Sequence, residues 1–213
     1  MDHESASDFF TKMIERRGYL FPSEVQQKNP LFKIMRKELQ ELTSDFSYDE
    51  LIFAKEPVPP DTKDKNLVEM ISQMDKYIID EADYDDWEDH YFSMAEECRD
   101  RFNKWLIDKG LNLYSEDFPF YLETYLDFIY HYTHDDIVIL KKVQPVYMEE
   151  FFANYLLRKM IVEPEEYIYW IPALKVFYTF LYEKGYLENP DPIIRLIDEI
   201  EPYFIKILKK KFG

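Results

Sequence analysis

The chain has 213 residues, of which 46% are hydrophobic and 18% aromatic, and its 26 basic and 43 acidic side chains give a formal net charge of −17. This excess of carboxylates disfavours binding to nucleic-acid phosphates or to an anionic membrane surface, because affinity for both depends on Lys and Arg. The aromatic content excludes a disordered chain, since it supplies enough apolar surface for a core. With only four glycines and no Gly-rich motif, a P-loop or Rossmann nucleotide site is also disfavoured.

The N-terminal sequence and the cysteine content favour a cytoplasmic protein. The first residues contain neither the basic nor the apolar region of a signal peptide. No stretch of the sequence provides the roughly 20 apolar residues that cross a membrane. Cys98 is the single cysteine, so no intramolecular disulfide can form, and we expect its thiol to be a small buried hydrophobe.

The first third of the chain predicts a helical arm followed by a proline-rich connection. Ser7 is a good helix N-cap, Gly18 a good helix end, and a second helical pattern follows Pro30. We therefore expect residues 1–55 to form an N-terminal helical arm packed on the body. Residues 56–63, with three prolines at positions 57, 59 and 60, are predicted to be a linker or a surface loop.

Residues 64–213 are predicted to form the main helical domain, because apolar residues recur in them at helical spacing. The pattern predicts helices over 64–80, 85–109, 119–132, 146–160, 163–184 and 192–211. Gly110 and Gly185 follow two of these helices as expected caps, and Pro172 is expected to restart or kink the fifth. The run Ile137–Ile139 fits a short strand or more helix.

The expected fold is all-α, a compact multi-helix globular domain of roughly eight to ten helices in antiparallel packing, with little or no β-structure. The charge is unevenly spread over this fold. Residues 56–140 contain 7 basic and 22 acidic side chains, whereas residues 141–213 contain 11 of each. The excess of negative charge is therefore a property of the middle of the chain, which we expect to present an acidic face.

The most acidic segment is Asp80–His90, in which seven of the eleven residues are Asp or Glu. Without a central glycine it does not match an EF-hand loop. One interpretation is a surface that binds a basic protein; its candidate residues are Asp83, Asp85, Asp86, Glu88 and Asp89. A second is transition-metal chelation by Asp86 and His90, which lie four residues apart on one helix face. The simplest interpretation is a solvated helix start, where carboxylates meet the positive end of the helix dipole.

Aromatic residues are concentrated in residues 118–182, which contain 18 of the 38 in the chain. Around Tyr169 and Trp170 they occupy more than one side of a helix. Either both sides are buried in one thick core, or one side contacts a partner. Tyr169 and Trp170 are accordingly included as candidate interaction residues.

The segment His131-Tyr132-Thr133-His134-Asp135-Asp136 contains a His-Asp doublet, with His90 upstream and Asp191 or Asp198 downstream. This order resembles that of the HD-type metal phosphohydrolases, which are also all-helical. The resemblance covers the doublet and its loose spacing only. It implies that a divalent transition metal bound by His90, His134 and Asp135 activates water for attack on a phosphate ester. Alternatively, Thr133 caps an acidic helix start, and no metal is involved.

The preferred hypothesis is a non-enzymatic protein-interaction or scaffold module whose acidic face engages a basic protein. It requires no catalytic residue and no cofactor, and we expect no nucleic-acid or membrane partner. Self-association is compatible with the same aromatic surface. The alternative hypothesis is the metal-dependent hydrolase.

Overall fold

A computed structural model describes residues 57–133, 136–164 and 166–212. Helices contain 78% of these residues, and no β-strand occurs among them. The prediction of an all-α protein is therefore confirmed for the described part of the chain. The arm predicted over residues 1–55 lies outside it. No described helix is long and apolar enough to cross a membrane.

Six helices follow one another along the described chain. They are α1 (Thr62–Ile79), α2 (Tyr84–Asp108), α3 (Asp117–Asp127), α4 (Pro145–Glu150), α5 (Trp170–Glu183) and α6 (Asp191–Phe212). Helix α3 continues into the π-helical turn Phe128–Tyr132, and α4 continues through the π-helical turn Phe151–Tyr155 into Leu156–Lys159. Short 3-10 turns are Asn112–Tyr114, Leu140–Lys142 and Glu166–Tyr169.

Two segments differ from prediction. The described residues contain six helices, whereas eight to ten were predicted for the whole chain, and the two helices predicted before residue 56 lie outside the described part. Residues 137–139 form neither strand nor helix. The segment that begins at residue 163 forms a turn and a 3-10 turn, so the α-helix starts only at Trp170. Pro172 therefore lies in the first turn of α5. Backbone N–H groups in this turn have no intrahelical acceptor, so the lack of an N–H in proline breaks no helical hydrogen bond.

The described residues group into two units, each with its own core. The larger unit contains residues 57–144 and 172–194, and the smaller unit contains residues 145–171 and 195–212. The boundaries predicted from sequence, at residues 55 and 63, stay predictions.

The core of the larger unit is formed by the apolar stripes of α1, α2, α3 and α5. The apolar spacing predicts one face of α1 formed by Leu67, Met70, Ile71, Met74 and Ile78; Met70 is half-buried and the other four are buried. On α2 the thiol of Cys98 is fully buried, as predicted, and burial raises its pKa far above the usual value. Aromatic rings of α2 and α5 contact one another at centroid distances of 5.4–6.1 Å; they are Phe102, Trp105, Phe177 and Phe180.

A buried charge network fixes the proline-rich segment to the larger unit. Asp61 and Asp64 form a reciprocal capping box at the start of α1, with both hydrogen bonds 2.9 Å long. Arg101 of α2 donates to both carboxylates, at 2.5 and 2.7 Å, and Lys184 lies 3.0 Å from Asp64. Burial raises the pKa of Asp64, but the Asp61 N–H, Lys184 and Arg101 outweigh it, so that the pKa is lowered overall.

The backbone of Val58 connects this network to a second ion pair. Its N–H donates to Glu183 Oε2 over 2.9 Å, and its carbonyl accepts from Lys184 over 3.3 Å. Glu183 is in turn paired with Lys109 at 2.7 Å and accepts from the indole N–H of Trp105 at 2.8 Å. Residues 57–61, here called the strap, are therefore held by specific hydrogen bonds.

A second buried carboxylate, Asp75, is held by Tyr186. The phenol lies 3.0 and 2.9 Å from the two carboxylate oxygens, and Lys141 Nζ lies 3.8 Å from one of them. Burial raises the pKa of Asp75, and the tyrosine and lysine oppose that effect. Lys141 also lies over the Tyr186 ring, 4.5 Å from its centroid.

Three helices of the larger unit end in the same hydrogen-bonded turn. After α2 and α5, Gly110 (φ 73°) and Gly185 (φ 86°) take the left-handed conformation, as predicted for helix caps. After α1 the equivalent position is Glu81, with φ 52°. The Ala82 N–H donates to the Tyr77 carbonyl and the Glu81 N–H to the Ile78 carbonyl, as in a Schellman motif. A side chain at this position is unfavourable, because the left-handed conformation brings Cβ close to backbone oxygen.

The smaller unit is built from α4 and most of α6. The apolar spacing predicts Ile193, Ile197, Ile200, Phe204 and Ile207 on one face of α6; the first four are buried and Ile207 is half-buried. The Phe204 ring packs 5.0 Å from Phe152. Glu149 of α4 is also buried, with 4% of its surface exposed. Burial raises the pKa of Glu149 to about 7, and no described residue forms an ion pair with it.

Candidate interaction site

The acidic segment forms the turn between α1 and α2 and the first two turns of α2. Asp83 is the residue before α2, Asp85 and Asp86 lie in its first turn, and Asp89 lies in its second. All four carboxylates are exposed. None of them forms an ion pair with a residue in the described ranges, in contrast to Asp61, Asp64 and Glu183 of the charge network.

A cleft of about 500 Å³ opens beside this segment. Its lining residues come from the end of α1, the Schellman turn, the start of α2 and the loop before the Leu140–Lys142 turn; they are Tyr77, Ile78, Glu81, Ala82, Tyr84, Trp87, Asp136 and Ile137. Three of the eight are aromatic, two are acidic and none is basic. Glu81 and Asp136 are exposed, as are Tyr84 (38%) and Ile137 (52%), so carboxylates and apolar surface occur together at this site.

A cluster of rings around His131 supports one wall of the cleft. The His131 ring lies 5.7 Å from Tyr84, 5.9 Å from Trp87 and 4.2 Å from Tyr91, measured between centroids. Its Nδ1 is 2.9 Å from a carboxylate oxygen of Asp127, one turn earlier on α3. This bond fixes the orientation of the imidazole against the two rings that line the cleft, Tyr84 and Trp87.

The π-helical turn at the end of α3 places His131 in this cluster. The N–H of Thr133 donates to the carbonyl of Phe128 over 3.1 Å, a bond that spans five residues instead of four. The extra residue in this turn changes the angle around the helix axis at which the following side chains project. They therefore point in directions that differ from those of a regular α-helix. Such π-helical turns are often found at functional sites.

Tyr84 connects the cleft to Glu88, one of the predicted interaction residues. Its hydroxyl donates to Glu88 Oε1 over 2.7 Å and lies 3.4 Å from His131 Nε2. The hydrogen bond to Glu88 raises the pKa of the Tyr84 phenol to about 12. The phenol is therefore a neutral donor, held beside Glu88 at the edge of the cleft.

The predicted interaction residues are found in both units. The five acidic residues lie in the larger unit, whereas Tyr169 and Trp170 lie in the smaller one. Tyr169 is partly exposed, but Trp170 is completely buried, so its ring is part of the interior and is not a contact surface. The acidic residues and Tyr169 stay predicted contact residues.

The predicted metal ligands can be compared only in part, because His134 and Asp135 lie outside the described residues. His90 Nε2 lies 2.8 Å from the carbonyl of Met70. A carbonyl only accepts, so Nε2 carries the proton and only Nδ1 is left as a metal-binding atom. Among described residues, no group of three or more His, Cys, Asp or Glu side chains is arranged to hold a metal ion.

Sequence reasoning missed several residues of the cleft. Trp87 is buried, but its place in the wall depends on His131 and on residues 136–137, which are distant in sequence. The spacing of Asp127 and His131, four residues apart on a helix, was a signal that could have indicated their hydrogen bond.

Comparisons with known proteins give no further identification. No family model matches the chain, and neither a curated protein nor a solved structure matches it. The site is therefore interpreted from its own chemistry. Its aromatic rings, apolar side chains and unpaired carboxylates favour reversible binding of a cation with an apolar body.

Proposed function

We propose that the protein is a non-enzymatic, cytoplasmic interaction or scaffold module whose acidic face engages a basic protein. The acidic face belongs to residues 56–140 and is densest in the segment 80–89. The observation that carries this proposal is the set of exposed carboxylates on α2 that lack ion pairs within the described chain.

The helix dipole explains only some of these carboxylates. It stabilises acidic side chains in the first turn, where Asp85 and Asp86 lie, and its effect fades beyond that turn. Asp89 lies in the second turn, and Glu81 lies before the helix. Their repulsion is unfavourable to the isolated protein and is relieved when a cationic surface binds.

The hydrolase alternative receives no support from a particular observation. His134 and Asp135, two of its three ligands, lie outside the described residues. The third, His90, uses one ring N–H to donate to a backbone carbonyl. It stays a prediction from the His-Asp doublet.

The proposal is tested with the full chain and a fluorescent peptide of alternating Arg and Ser. In the test variant three carboxylates of the acidic segment are neutralised: Asp85→Asn, Asp86→Asn and Asp89→Asn. The matched control removes the same charge from exposed positions elsewhere: Glu163→Gln, Glu188→Gln and Glu199→Gln. Fluorescence anisotropy at several salt concentrations gives the dissociation constants.

We expect the test variant to bind the peptide about tenfold more weakly than the wild type, and the control to bind within about twofold of it. Binding by the wild type weakens as salt rises, because exposed charges are screened. Equal losses in the two variants, or binding that does not change with salt, would contradict the proposal.

A further inference from the structure

We infer that the cleft beside the acidic segment is a specific subsite for one arginine side chain of the basic partner. The inference rests on the proposed function and adds to it a location and a ligand chemistry. It is drawn from the lining of the cleft and from its charge, and does not depend on the acidity of the segment as a whole.

The lining matches the two parts of an arginine side chain. An arginine has an apolar three-carbon stem and a planar cation, and the stem gains free energy when it contacts apolar surface. Ile78, Ala82 and Ile137 supply aliphatic contacts in the cleft, and Tyr77 and Tyr84 supply aromatic ones. A volume of about 500 Å³ lies within the range of protein ligand sites.

The charge of the cleft selects a cation. Glu81 and Asp136 are the charged residues among those that line it, and both are exposed acidic side chains. They come from two segments far apart in sequence, so the cleft brings two carboxylates to one opening. A guanidinium can donate to both with its fork of N–H groups while its apolar faces contact the rings.

Arginine is favoured over lysine by the aromatic walls. Guanidinium is planar and weakly hydrated, so it stacks on aromatic rings with little desolvation penalty, whereas an ammonium group is compact and strongly hydrated. The wall at Tyr84 is also well fixed. Its ring packs against Trp87 at 4.7 Å and its hydroxyl is bonded to Glu88, so little side-chain freedom is lost on binding.

The test is an NMR titration of the full chain with butylguanidinium at constant ionic strength, and separately with butylammonium. We expect saturable shifts at the amides of residues 77–84 and 136–137, with the guanidinium bound more tightly. Glu81→Gln and Asp136→Asn each weaken this binding about tenfold, as expected for loss of a charge-assisted hydrogen bond. Glu188→Gln, which removes the same charge from an exposed position outside the acidic segment, changes it less than about twofold.

The Arg-Ser peptide separates this inference from the proposed function. If Glu81→Gln and Asp85→Asn weaken peptide binding equally and butylguanidinium gives no saturable shifts, the cleft is not a subsite, and the acidic-face proposal stands. If butylguanidinium binds but the peptide does not, the proposed function and the assignment to a partner side chain both fail. Tighter binding of butylammonium would contradict the choice of arginine.

Discussion

Glu149 allows a direct test of how burial changes the pKa of a single carboxyl group, and with it the stability of the folded state. The side chain is buried without an ion pair among described residues, and its pKa is raised from 4.5 to about 7. The folded state therefore holds a proton that the unfolded state releases between pH 4.5 and 7. Over that window the free energy of unfolding falls as pH rises, because the unfolded state binds fewer protons.

The magnitude follows from the two pKa values. Each tenfold change in proton affinity corresponds to about 1.4 kcal/mol, so the full destabilisation above pH 7 is about 3 kcal/mol. Glu149→Gln replaces the protonated carboxyl by a neutral group of the same shape and removes the titration. We expect the variant to exceed the wild type in stability by less than about 1 kcal/mol at pH 5 and by about 3 kcal/mol at pH 8.

Urea unfolding followed by circular dichroism at a series of pH values measures this difference. Glu163→Gln, at an exposed position in the same unit, is the control and should show no such dependence on pH. A second measurement, the NMR titration of the Glu149 carboxyl carbon, should give a midpoint near pH 7. A stability difference that stays constant from pH 5 to 8, together with a midpoint near 4.5, would refute the reasoning.

The remaining predictions concern the larger unit. Tyr186→Phe removes the hydroxyl that donates to the buried Asp75 carboxylate. It should lower the free energy of unfolding, measured by urea denaturation, by about 2 kcal/mol, because the carboxylate loses its main donor. An unchanged free energy would contradict this prediction and would show that water replaces the phenol. Residues 81 and 185 both have positive φ, which favours glycine. Gly185→Ala should therefore destabilise the protein by about 1 kcal/mol, and Glu81→Gly should stabilise it by a similar amount, both measured as denaturation midpoints. Backbone strain alone causes the loss at residue 185, because no atom lies within 4 Å of the Cβ that alanine would add. The Cys98 thiol should react with Ellman's reagent only in denaturant, and rapid reaction of the native protein would contradict its burial.

Much of the fold was predictable because it follows from local rules. The apolar stripe of α1 repeats at helical spacing, and its members Leu67, Ile71 and Met74 are buried for that reason. Gly110 and Gly185 were predictable as helix ends, because only glycine takes the left-handed conformation without strain. The segments missed by prediction are residues 163–169, where turns precede α5, and residues 137–139, whose β-branched side chains lie in an irregular loop.

The charge network and the cleft could not be predicted from sequence spacing. Arg101 and Lys184 resemble surface residues in the sequence, yet both are buried because Asp64 comes from a third segment to neutralise them. Likewise, Glu81 occupies a left-handed position at which the rules for helix ends predict glycine. The turn that lines the cleft could therefore not be recognised from the sequence. Charge composition predicts an acidic face over residues 56–140, but it does not indicate which carboxylates line one cleft.

The strap has a consequence for the order of events in folding. Its hydrogen bonds to Glu183 and Lys184 join residues 125 and 126 positions apart. The entropic cost of closing so long a loop is only slightly greater than the cost of closing a shorter one, because it grows with the logarithm of loop length. Contacts between such distant residues slow folding instead. If the strap docks after the rate-limiting step, Glu183→Ala, which removes the acceptor of the Val58 N–H, will accelerate unfolding and leave the refolding rate almost unchanged.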